Sequence, residues 1–141
     1  KECIKTVKKG LTPNETEKKA IEIITQGLVD LSILNGELNE LIEKEAYRDF
    51  YMHRVGHWMG MDVHDVGSYG LNGKWRKYSP GMITTIEPGI YFKENLKNVP
   101  EEYLNIGIRI EDDVLVTEGD PEVLTSSVPK TIIEIEKVMG S

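Results

Sequence analysis

The strongest constraint on how this chain can fold is a change of hydrophobic period near residue 47. Upstream of it Ala20, Ile21, Ile24, Leu28, Leu31 and Leu34 recur at steps of three and four, the repeat that lines one buried face of an α-helix. Leu11-Thr12-Pro13-Asn14-Glu15 supplies the start: Thr12 can accept from the third helical amide, Glu15 can reach back, and Pro13 suits the first helical position. The pattern predicts a helix from Pro13 to about Asn35-Gly36, then a shorter one over Glu37 to Ala46 with Leu38, Leu41 and Ile42 inward.

Beyond Tyr47 the helical repeat gives way to Gly, His, Asp and aromatic residues up to Gly73, a composition that builds loops and short strands. Met82 to Ile86 is β-branched and stops at Pro88-Gly89, after which Ile90-Tyr91-Phe92 resumes. Ile106 to Thr117 reads as one strand, with Ile106, Ile108 and Ile110 on one face and Gly107, Arg109 and Glu111 on the other. Pro129 opens a last helix, Lys130 to Met139, with Ile132, Ile135, Val138 and Met139 as its apolar stripe. Helix, helix, strands, helix predicts an α+β domain in which a curved, mostly antiparallel sheet carries helices on its outer face. The other face is then free for polar chemistry.

The 24 acidic and 17 basic residues give a net charge of -7, and the basic residues form no stripe, which argues against a nucleic-acid partner. No run approaches a membrane span and the N-terminus lacks a leader-like apolar stretch, so the expected location is the cytoplasm, away from membranes. Cys3 is the only cysteine; a metal site here must therefore use histidine and carboxylate.

All three histidines, His53, His57 and His64, fall within twelve positions. The His-x3-His spacing matches a helical zinc motif, but Arg54 stands where that motif has glutamate, and Gly56 and Gly60 oppose a helix. The histidines are better read as lining a cleft from an irregular segment, not all of them on a metal. Glu87 ends a strand and Glu111 projects from the polar side of another. An isolated glutamate at such a position is usually just solvated; Arg109 two residues from Glu111, together with the histidine cluster, shifts the balance toward a site. One imidazole with hard carboxylates suits Mn, Co, Fe or Zn.

Three segments in a fixed order carry a resemblance: His53-Arg54-Val55-Gly56-His57-Trp58 through Asp62-Val63-His64-Asp65-Val66-Gly67, then Pro80-Gly81-Met82 through Thr85-Ile86-Glu87-Pro88-Gly89-Ile90-Tyr91, then Gly107-Ile108-Arg109-Ile110-Glu111-Asp112-Asp113. Together they resemble the motifs of Xaa-Pro aminopeptidases and prolidases, and the likeness extends over Gly27 to Phe50 and Glu118 to Met139. The His-Trp pair and the Asp62-Val63-His64-Asp65-Val66-Gly67 run resemble the bacterial aminopeptidase P branch more than the methionine aminopeptidases. The resemblance implies half of a pita-bread fold, with residues 1–141 as a single partial domain, and two divalent ions, Mn²⁺ foremost. It implies His57, Glu87 and Glu111 as metal ligands, with Glu111 bridging and Glu87 also taking the proton of the attacking water. His53 and His64 would line the site against the peptide carbonyl, Arg109 would stand behind the ligands, and Tyr91 and Trp58 would shape the wall. Asp62 and Asp65 receive no ligand role from the resemblance and are read as loop residues or as residues behind the ligands.

That family completes its ligand set with two aspartates eleven positions apart, and no such pair occurs here. The expectation is therefore a peptidase acting on peptides with proline second, of which this stretch alone is inactive and self-associates, whereas the longer protein is a homo-oligomer. A prolidase and a non-catalytic peptide-binding module of the same fold are the alternatives.

Overall fold

The computed structural model describes residues 1–140. Helix α1 spans Pro13–Asp30 and opens as expected: the Glu15 carboxylate accepts from the Thr12 amide at 2.7 Å. It stops short of Asn35-Gly36. Ser32 adopts φ 58°, and its amide and that of Ile33 donate back to the carbonyls of Val29 and Leu28 at 2.8 and 2.9 Å. This is the hydrogen-bond pattern of a left-handed helix stop, with Ile33 and Leu28 buried in the same core. Leu31 consequently lies 50% exposed, outside the buried face where the period placed it.

The second helix, α2, is confined to Leu38–Glu43, because Glu45 takes φ 53° and a 3₁₀ turn over Ala46–Asp49 follows. Strands are β1 (Trp58–Met59), β2 (Gly70–Leu71), β3 (Lys74–Trp75), β4 (Ile83–Ile86), β5 (Gly89–Phe92), β6 (Ile106–Arg109), β7 (Asp112–Leu115) and β8 (Glu122–Val123). All pairings are antiparallel: β1-β4-β7-β8 form a sheet, β2 and β3 a hairpin, and β5 and β6 a ribbon. The core gathers Val7, Leu28, Tyr51, Val114 and Val116 between helices and sheet.

The stretch expected to be a single strand, 106–117, is broken at Ile110-Glu111 into β6 and β7. The break lies across from Glu87-Pro88, where β4 ends and β5 has not begun, and Pro88 has no N–H to donate into a ladder. The pairs Ile86↔Asp112 and Gly89↔Arg109 keep one register through this interruption. Glu87 therefore stands opposite Glu111 at the bend of one long antiparallel ribbon.

Helix α3 spans Ile132–Met139 and starts at Thr131, whose hydroxyl accepts from the Glu134 amide. Its apolar stripe is open to solvent, with Ile132 75% and Val138 70% exposed. The expected inward packing of this stripe is thus absent among the described residues. Among the described residues no helix is long and apolar enough to cross a membrane.

Candidate metal centre

The centre strand of the site is β4. On one side β1 pairs with it through Trp58↔Thr84, which brings His57, just before β1, alongside Thr85. The Thr85 amide donates to the His57 carbonyl at 2.9 Å, and the His57 amide donates to the Thr85 hydroxyl at 3.0 Å. On its other side β7 pairs with β4, and the ribbon bend delivers Glu111. His57, Glu87 and Glu111 thus come from three adjacent strands, and one donor atom from each lies within 4.8 Å of the others.

Gly56 is what lets β1 approach so closely, because a Cβ there would overlap the Thr85 carbonyl. The preceding residue is also pinned twice: the Val55 amide donates to Glu17 of α1, and its carbonyl accepts from the Glu87 amide, both at 2.7 Å. Sequence reasoning missed Glu17 and Thr85. The signal for Thr85 was its inward parity two residues before Glu87; Glu17 carried none, being one acidic residue among several on α1.

Glu87 is buried at 9% exposure. Its Oε1 accepts from the Thr85 hydroxyl at 2.9 Å and lies 3.2 Å from His57 Nε2, while Oε2 faces Arg109 Nη1 at 3.6 Å. The His57 Nδ1 sits 3.0 Å from the Trp58 carbonyl, a contact that orients the ring and turns Nε2 toward Glu87. Arg109 also donates through Nε to the Tyr91 hydroxyl at 2.7 Å; that hydrogen bond raises its already high pKa, so it stays charged. Tyr91 in turn lies 3.0 Å from His53 Nε2, and His53 Nδ1 lies 2.7 Å from the Arg54 carbonyl. With Nδ1–H donating to that carbonyl, Nε2 accepts from the tyrosine O–H.

His64 presents its ring edge-on to His57, centroids 4.4 Å apart. His53, His57, His64, Glu87 and Arg109 all line one cavity of about 800 Å³. Trp58 does not: it is 5% exposed and stacks on Tyr69 inside the core, contrary to the expectation of a wall residue. Tyr91 acts as the link between His53 and Arg109. Asp62 is exposed, and Asp65 is spent on the loop, its amide donating to Trp58.

The donor set fits a divalent cation. Two carboxylates facing each other across the ribbon bend repel. A hard or borderline ion ligated by one nitrogen and two oxygens relieves that repulsion.

The sequence profile of Metallopeptidase family M24 matches residues 1–118. The chain belongs to metallopeptidase family M24. Among its M24 relatives, it is 51% identical over 140 residues to the Xaa-Pro aminopeptidase of Haemophilus influenzae, covering 99% of this chain and 32% of the relative. To the Xaa-Pro aminopeptidase of Escherichia coli it is 48% identical over 130 residues, covering 92% and 29%. Among solved structures, aminopeptidase PepP of Pseudomonas aeruginosa superposes with a TM-score of 0.92 at 49% identity, over 99% of this chain and 32% of that one. Aminopeptidase P of E. coli with the inhibitor Pro-Leu gives 0.89 at 45% identity, over 99% and 32%. The chain spans about a third of the length of these M24 relatives. Its α+β architecture is that of their pita-bread fold over the matched part.

Proposed function

We propose that this chain is the part of a cytoplasmic, dinuclear metal-dependent Xaa-Pro aminopeptidase that carries His57, Glu87 and Glu111 as metal ligands. The observation behind this reading is the convergence of those three side chains, within 4.8 Å, at a bend where two glutamates oppose each other. Two ions, Mn²⁺ by preference, supply Lewis acidity when bound, polarising a carbonyl oxygen and making water acidic near neutrality. Three donors do not complete a two-ion site, so further ligands come from elsewhere in a longer, homo-oligomeric protein, and the 141 residues by themselves form a partial domain that is inactive.

The chain's own groups fit hydrolysis before proline. Glu87, held by Thr85 and faced by Arg109, accepts a proton from the attacking water at a carboxylate oxygen. The proline nitrogen of an Xaa-Pro bond has no hydrogen and must gain one as the C–N bond breaks, and the same carboxylate returns it. His64 lines the cavity and can donate to the substrate carbonyl, and Glu111 would help hold the metal together with His57 and Glu87. The Arg109-Tyr91-His53 chain fixes His53 as a second donor or acceptor beside the peptide. The uncovered α3 stripe makes the isolated chain self-associate.

The test uses the full-length protein, dialysed against chelator and reloaded with Mn²⁺, on Leu-Pro-Leu and Leu-Ala-Leu. Metal-dependent release of leucine from the first peptide, abolished in His57→Ala, is expected. Cleavage surviving both chelation and that substitution overturns the reading. The isolated chain should show no cleavage and should run above monomer mass in light scattering.

A further inference from the structure

The cavity that holds Glu87 also carries a cation with no acidic partner among the described residues. The Arg54 guanidinium carbon lies 5.7 Å from the Tyr69 ring centroid and 5.4 Å from that of Trp75, and no carboxylate pairs with it among the described residues. The clamp is rigid from behind. Tyr69 stacks on buried Trp58, its hydroxyl accepts from the Trp58 amide at 2.9 Å, and its carbonyl accepts from the Arg76 amide at 2.9 Å. Trp75 is fixed by β3 pairing with β2, where it faces Gly70. Arg54, Lys74 and Trp75 line the same cavity as His57 and Glu87.

A guanidinium lying against aromatic rings keeps its in-plane N–H fork free, and that fork matches a carboxylate in a two-point contact. Its sequence neighbour His53 bonds Tyr91, which bonds Arg109 beside Glu87, and all but Tyr91 line one cavity, so Arg54 and the reacting centre share a wall. Resting on the peptidase reading above, we infer that Arg54, clamped by Tyr69 and Trp75, is a carboxylate-binding subsite for the residue after proline. The carboxylate is either the C-terminus of a short peptide or an acidic side chain at that position.

Calorimetric binding to the Mn²⁺-loaded full-length protein separates these sources. Pro-Leu against Pro-Leu amide reads the terminal carboxylate, and Pro-Glu amide against Pro-Gln amide reads the side chain. Wild type should favour the acid in at least one pair by about tenfold. Arg54→Gln should bind both members of that pair alike, and Arg54→Lys, charged but without the fork, should fall between. Arg54 is exposed, so both variants should fold, with unchanged circular dichroism as the check. A preference retained by Arg54→Gln, or no preference by wild type in either pair, overturns the assignment. Cleavage of Leu-Pro-Leu is scored separately: its absence with the Arg54-dependent preference intact overturns only the peptidase reading.

Discussion

Replacing Thr85 with valine is the sharpest test of how the site is held. The hydroxyl donates to Glu87 Oε1 at 2.9 Å and accepts from the His57 amide at 3.0 Å, so a single atom ties two proposed ligands together. Valine is close in shape to this fully buried side chain and puts a methyl group in place of the hydroxyl. The hydrogen bond to the carboxylate is worth about 1.5–3 kcal/mol, and the orphaned buried amide costs about 1–3 kcal/mol. Because both losses share one atom they do not simply add; a total near ~3 kcal/mol is expected. That loss should lower the urea midpoint of the metal-free protein. Groups that orient metal ligands typically contribute about 10–100-fold in affinity, so Mn²⁺ binding should weaken by that range. Thr16→Val is the control, since its hydroxyl bonds Tyr78 and Thr6 in the core at 3.2 and 2.8 Å, away from the glutamates. Titration calorimetry with Mn²⁺ and urea unfolding of the metal-free full-length protein read the two effects apart. If Thr85→Val loses stability as Thr16→Val does but binds Mn²⁺ as wild type, the hydroxyl does not position the ligands.

Glu111→Gln keeps the shape at the ribbon bend but removes one of the two opposed charges; Mn²⁺ affinity should fall by more than about a hundredfold while apo stability holds or rises, as calorimetry and urea midpoints will show. Gly56→Ala should lower stability by about 3 kcal/mol or more, read from the urea midpoint, because its Cβ has only the Thr85 backbone to displace. Hydrogen bonds from the Thr131 amide and hydroxyl, then from the Lys130 amide, hold the Glu134 carboxyl at about 2 against an ordinary 4.5. The depressed folded value means its support for the start of α3 is complete above about 4.5 and is lost as pH falls through about 2; amide exchange at the first turn of α3 should follow that window in wild type and lose it in Glu134→Gln.

What could be read from residues alone was whatever local chemistry decides. The capping box at Thr12 and Glu15 marked the start of α1, and the β-branched run before Pro88-Gly89 marked β4. The misreadings came where a partner elsewhere in the chain decides. Asn35-Gly36 offered a stronger stop signal than Ser32, yet burial of Ile33 beside Leu28 turned the chain first. Alternation from Ile106 to Thr117 is unbroken as a pattern; the ribbon bends at Ile110-Glu111 because Pro88, on the facing strand, cannot donate there. The stripe of α3 is amphipathic by spacing but meets no surface among the described residues.

The bend is also why the ligand set could be proposed while its mechanics could not. Glu87 and Glu111 were singled out one at a time, each beside its own motif, and nothing in either motif says that a shared register sets them face to face. Once they are opposed, each destabilises the other in the absence of a cation, and the nearest fixed charge, Arg109, stands 3.6 Å from Glu87 and is about half exposed to screening solvent. The same bend that interrupts backbone pairing thus concentrates negative charge where His57 turns its Nε2.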